Sequence, residues 1–209
     1  MIEPATLDQL LASDPVGEMQ TAIVASLKSL LPGVAVVTHP GKVDLSELVA
    51  KTVVQSPGIG VGWSRMRAAG LTDGSFNITV DWVAYIVAEA KSVASRRVEK
   101  EAVALAIGTR LLAILGDIGN SNWGMEGVLP PEATPIPEAK PLFTVKDASQ
   151  GTAYYTVTWA QVLVDLGTGD FPQPIGLANP DNGTIDYQAA AMLRYMAPWI
   201  PAMEVVDDD

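Results

Sequence analysis

The sequence predicts an α+β fold: a mainly antiparallel sheet of about four or five strands, packed by an N-terminal helix and one long central helix, with a long loop and a C-terminal arm. Three observations carry that reading. Residues 58–69 and 75–88 are long strand-like runs separated only by the turn-rich Gly70-Leu71-Thr72-Asp73-Gly74. Apolar residues recur at spacings of three and four both before this pair and after it. A further strand run, Thr152 to Leu166, is separated from the rest by proline-rich text.

Residues 4–31 read as helix, with Asp14-Pro15 supplying a cap and a proline near the first turn. Val16, Met19, Ile23, Leu27, Leu30 and Leu31 make its apolar stripe, and Pro32-Gly33 ends it. Val34 to Thr38 is a short β-branched strand closed by Pro40-Gly41. Asp44 can cap a short helix through Leu45, Leu48 and Val49, and Thr52 to Val54 reads as a second short strand. In the 75–88 strand, Phe76, Ile78, Val80, Trp82, Ala84 and Ile86 alternate with Asn77, Thr79, Asp81, Val83, Tyr85 and Val87. Its far end is apolar on both faces, the pattern of a central, covered strand.

Ser95 is a plausible cap for a helix from Arg96 to Leu115. Val98, Ala102, Leu105 and Leu112 form one stripe, and Val103, Ile107, Leu111 and Ile114 another, so this helix is expected to be covered on most of its circumference. Residues 117–150 read as a long irregular arm with a strand at Leu142 to Val145. Loops beyond about 12–15 residues in a compact domain are usually functional or disordered. In the strand from Thr152, Tyr155, Val157, Trp159 and Leu163 face one way. The domain core is thus expected over residues 1–166, with 167–209 a loop-rich C-terminal extension containing a short helix at Asp186 to Tyr195.

Composition narrows function. Of the 209 residues, 13 are Lys or Arg and 24 are Asp or Glu, a formal charge of −11. That balance disfavours a phosphate-binding surface, since nucleic-acid affinity comes largely from Lys and Arg neutralising phosphates. Cysteine is absent, which excludes disulfides, thiolate metal sites and Cys nucleophiles, and suits assembly in a reducing cytoplasm. A chain of this length buries about 70% of its unfolded surface without such staples. Apolar residues make up 48% and charged ones 18%, a composition that suits burial in an assembly. The most apolar helical stretch is broken by charges, so no membrane span is expected, and the acidic N-terminus lacks the basic start of a signal peptide.

The catalytic inventory is thin. His39 is the single histidine, placed at a strand end before Pro40, and no G-x-S-x-G serine accompanies it. A small hydrolase would have to use His39, for example with Asp44. The run Gly58-Ile59-Gly60-Val61-Gly62 resembles a phosphate loop only superficially: Trp63-Ser64-Arg65-Met66-Arg67 continues as strand, where such a loop needs a helix N-terminus. Lys91, Arg96, Arg97 and Lys100 read as a solvated helix start. No metal or cofactor site is expected. The large apolar side chains of the appendages, Trp123, Met125, Phe143, Phe171, Tyr195 and Trp199, are the candidates for subunit contacts.

The element order is distinctive: helix, short strand, Pro-Gly, a long strand pair ending Asp81-Trp82-Val83-Ala84-Tyr85-Ile86-Val87-Ala88, a long helix from Glu101-Ala102-Val103 to Leu115, a linker, and Ala153-Tyr154-Tyr155-Thr156-Val157-Thr158-Trp159. Over residues 1–166 this resembles the Mu-like phage tail terminator family. The resemblance implies a hexameric ring in the virion, at the head–tail junction, assembled in the host cytoplasm. The ring would cap the tail tube protein and dock to the head–tail connector. DNA would pass through the lumen without specific binding. It implies no catalytic residues. A head-completion or tail tube protein is the alternative within the same machine.

Overall fold

The computed structural model describes residues 4–41, 54–69, 76–142, 151–164 and 166. In chain order the elements are α1 (Leu7–Ala12), α2 (Pro15–Leu30), β1 (Ala35–Thr38), β2 (Gly58–Ala68), β3 (Ile78–Glu89), β4 (Lys91–Val93), β5 (Arg96–Val98), α3 (Lys100–Leu115), α4 (Ile118–Ser121), β6 (Glu138–Pro141) and β7 (Thr152–Leu163). Five strands form one sheet in the order β1-β2-β3-β7-β6. Only the β1–β2 pair is parallel; the other neighbours run antiparallel.

The single helix expected over residues 4–31 is two helices. Pro15 has no N–H to continue a helix and its ring clashes with the preceding turn, so the chain breaks at Ser13-Asp14 and restarts. The Asp14 carboxylate accepts from the backbone N–H groups of Val16 and Gly17 at 3.2 and 2.9 Å. The predicted stripe of α2 is the buried one: Val16, Met19, Ile23 and Leu27, with Val24 beside them.

Both α2 and α3 lie on one face of the sheet. Ile59 and Val61 of β2, Val80, Trp82, Ala84 and Ile86 of β3, and Val157, Trp159 and Leu163 of β7 join residues of both helices in a single apolar cluster. At the far end of β3 the opposite face is also buried, through Val83, Tyr85 and Val87, as expected of a central strand. Close backbone approach explains two of the glycines. A Cβ on Gly62 would lie 2.9 Å from Gly41 N and 3.0 Å from the His39 carbonyl oxygen, and one on Gly58 would lie 2.2 Å from the Gln55 carbonyl.

Three other expectations are corrected. Residues 91–98 are not a helix start but a hairpin, β4 paired with β5 around Ala94 and Ser95, which adopt φ of 48° and 65°. Such a left-handed two-residue turn usually carries Gly or Asn, so Ala-Ser gives no hairpin signal in the sequence. The following helix, α3, is covered on one face within its own chain rather than most of the way round. Ile107, Leu111 and Ile114 are buried, whereas Ala102 is exposed and Leu105 is 56% exposed. Finally, residues 117–142 are no free arm. Val128 bridges Leu163, and Leu129 and Glu132 donate backbone N–H bonds to Val162 and Ala160 at 3.0 and 2.8 Å. The segment then becomes β6 on the edge of β7, four residues earlier than the strand expected at Leu142 to Val145. The short helix after Asp44, the turn at 70–74, and residues 143–150 and 167–209 lie outside the described residues, as do Thr52 and Val53.

One buried amide fastens this segment to the sheet. Gln161 is fully buried on the core face of β7. Its Oε1 accepts from the indole N–H groups of Trp123 and Trp159 at 2.8 and 2.9 Å. Its Nε2 donates to the carbonyls of Ser121 and Leu129 at 2.8 and 2.9 Å. The amide therefore uses both acceptor positions and both donors. Replacing it by leucine keeps the volume roughly but leaves two indole donors and two carbonyls unpaired. Since each buried unsatisfied group costs about 1–3 kcal/mol, Gln161→Leu is expected to destabilise the protein by at least about 3 kcal/mol, read from chemical denaturation. Trp123→Phe, which removes one donor, should cost less. An unchanged denaturation midpoint for Gln161→Leu contradicts this account.

Candidate functional site

His39 sits at the end of β1, where its backbone N–H donates to the Val61 carbonyl. It is at the strand end, as the sequence places it, and is buried, 7% exposed. Its Nδ1 engages Gly41 two residues on, at 3.0 Å to the carbonyl or 3.2 Å from the N–H according to tautomer. The ring meets Tyr85 edge-on at 5.6 Å between centroids. Both partners and the burial describe a turn-closing, packing histidine. Asp44, its conceivable catalytic partner, lies outside the described residues.

The densest charge cluster among the described residues lies on the sheet face away from the helices. A bulge at Ser64 shifts the β2–β3 register and sets Arg65 opposite Asp81. Asp81 accepts from Arg65 Nε at 2.7 Å and from Arg67 Nη1 at 2.6 Å, and Arg67 reaches Glu132 at 3.6 Å. Burial pushes the Asp81 carboxyl up, but the hydrogen bonds and charges of Arg67 and Arg65 outweigh it and hold the group below its ordinary 3.8. A carboxylate so held is a weak base, and its two oxygens are already engaged. A cavity of about 180 Å³ beside it is lined by Ser64, Asp81, Pro135, Ile136, Glu138 and Thr158 among others. Of the two hydroxyl side chains in that lining, Ser64 donates to the Asp81 main-chain carbonyl at 3.2 Å.

The glycine run 58–62 is strand β2, so no helix N-terminus follows it to meet a phosphate. Among the described residues no group of three or more His, Asp or Glu side chains is placed to hold a metal ion. No described helix is long and apolar enough to cross a membrane.

Of the predicted contact residues, the structure brings Trp123 and Met125 together against the core of their own chain. Trp123 is 4% exposed, and its ring lies 6.4 Å from that of Trp159. Met125 is half-buried on the same cluster. Trp123 is thus occupied by an internal role that the polar-looking Asn122-Trp-Gly124 context hides. Phe143, Phe171, Tyr195 and Trp199 lie outside the described residues. The apolar side chains left in solvent are elsewhere: Leu7, Leu10 and Leu11 on α1, Leu105 on α3, Ile118 on α4, Ile136 beside the small cavity, and Trp63, Met66 and Phe76 toward the distal end of the β2–β3 pair. The spacing of Leu7, Leu10 and Leu11 is a helical stripe in its own right, a signal absorbed into the longer helix when 4–31 is read as one piece.

The Asp81 cluster makes a pH prediction. A carboxyl whose folded pKa is lowered contributes stability that is complete above its unfolded value and is lost as pH falls through the folded one. Asp81→Asn should therefore destabilise the protein most at neutral pH. The gap between variant and parent in urea unfolding should narrow progressively below about pH 4. A gap that stays constant down to pH 2 would show that the guanidinium pairing does not set this stability.

Compared with known protein families and with curated proteins, the chain matches none.

Proposed function

We propose that this chain is a structural, non-enzymatic protein of a phage tail. In this reading it is a tail terminator whose copies close into a hexameric ring that caps the tail tube and joins it to the head-side connector. The observation that carries the proposal is the apolar surface left outside the core. Every residue of α1 is exposed, including Leu7 at 68%, Leu10 at 56% and Leu11 at 68%, and Ile118 and Leu105 stand at 72% and 56%. Such side chains in number suit surfaces that are covered in an assembly. The α+β core, with its five-stranded sheet and central helix, is the kind of fold that the resemblance to Mu-like tail terminators implies.

The charge supports the same reading. At −11 per copy, a closed ring is strongly acidic, so a lumen lined by carboxylates would repel phosphates and let DNA pass without holding it. Among the described residues, the His39 ring meets Gly41 and Tyr85, and the Asp81 carboxylate is held by Arg65 and Arg67.

Native mass spectrometry and negative-stain imaging of the purified protein test the proposal. Closed six-membered rings are the expected result, one ring per tail in particles that contain the protein. Long stacked cylinders would favour a tube protein instead, and a chain that stays monomeric at its highest soluble concentration would contradict the ring.

A further inference from the structure

Among the described residues, two elements at different places in the fold have almost no buried side chains. Helix α1 has no buried residue, and its stripe of Leu7, Leu10 and Leu11 is flanked by Asp8. Residues 4–14 contain Asp8 and Asp14 and no cation. The β4–β5 hairpin is the counterpart. Residues 91–97 are all exposed, Val93 by 53%. Residues 91–100 hold Lys91, Arg96, Arg97 and Lys100, four of the chain's 13 cations, against a single carboxylate, Glu99.

The hairpin register sorts these side chains. Lys91 pairs with Val98 and Val93 with Arg96, so Lys91, Val93, Arg96 and Val98 share one face, while Ser92 and Arg97 occupy the other. One face is thus cationic and apolar together; α1 is apolar and acidic together. A lone two-stranded hairpin and a helix of six residues are each marginal in water, and both gain from a partner. The complement to each is present on another copy of the same chain.

We infer that the Lys91/Val93/Arg96/Val98 face of one copy docks on the Leu7/Leu10/Leu11 face of α1 in a second copy, with Arg96 and Lys91 meeting Asp8. The contact is head-to-tail, because donor and acceptor surfaces are different parts of the chain. The alternative use of this basic hairpin, holding a nucleic-acid phosphate, fits less well. Arg97 is already bonded to Glu99 at 3.0 Å, and two valines share the cationic face. The inference deepens the ring reading by naming its two faces, but depends on it only for closure.

The absence of cysteine makes the test direct. In the full-length chain carrying Leu7→Cys and Val93→Cys, mild oxidation should produce a covalent ladder of oligomers, whereas either single variant, with no thiol opposite its own, should give no such ladder. Separately, Arg96→Glu should weaken self-association by roughly tenfold or more, and adding Asp8→Lys should restore it in part, since the swap recreates the Arg96–Asp8 pair but sets the new lysine against Lys91. Both positions are exposed, and circular dichroism checks that each variant stays folded. Rings that form without a ladder overturn the contact and leave the ring standing. A ladder of indefinite length upholds the contact and overturns the ring. An unchanged assembly in Arg96→Glu, with retention of duplex DNA lost, overturns the contact in favour of a phosphate-binding hairpin.

Discussion

A single buried amide decides what kind of object the middle of this chain is. Gln161 stands at the centre of the core with all four of its hydrogen-bonding positions used, two by indoles and two by carbonyls of the segment that crosses the sheet. In a low-dielectric interior such a network is either complete or costly, because each unpaired member loses its water without replacement. Completeness here forces residues 121–129 to one path. That path delivers Val128 to Leu163 and then lays β6 along β7. The sheet reaches five strands because the amide holds the route to the fifth.

From that constraint the rest of the architecture follows. With both long helices on one face, the core closes around the Trp82–Trp159 pair, whose rings lie 6.5 Å apart at an interplanar angle of 24°. The other face of the sheet is pinned by the Arg65, Arg67, Asp81 and Glu132 cluster, which ties β2 and β3 to the same crossing segment. Apolar interior on one side and ion pairs on the other fix the register of the central strands. Among the described residues, a short leucine helix and a basic hairpin stand outside this core, and these carry the proposals about assembly.

The fold was legible where periodicity and burial agree. The alternation in 75–88 marks a central strand because β3 is paired on both edges. The stripe from Val16 to Leu27 marks a core helix because nothing competes for it. Legibility failed where a residue's role depends on a distant partner. Trp123 reads as a surface anchor between Asn122 and Gly124, yet its nitrogen is claimed by a glutamine 38 positions away. Gln161 itself, a polar residue in an apolar strand, gives no local sign of four simultaneous partners. Ala94-Ser95 lacks the turn chemistry that announces a hairpin, so the helical pattern downstream is extended backward over it. Of the candidate contact residues, only Trp123 and Met125 fall within the described residues, and both pack inward.

Hydrogen exchange on the native protein tests most directly whether the crossing segment belongs to the sheet. If the amide network holds it as described, the backbone N–H groups of Leu129 and Glu132 should open with a free energy close to that of the central strand β3. Exchange of those two groups at near-unprotected rates, with β3 still protected, would mean that residues 117–142 are an arm after all and that the fifth strand is not part of the cooperative fold.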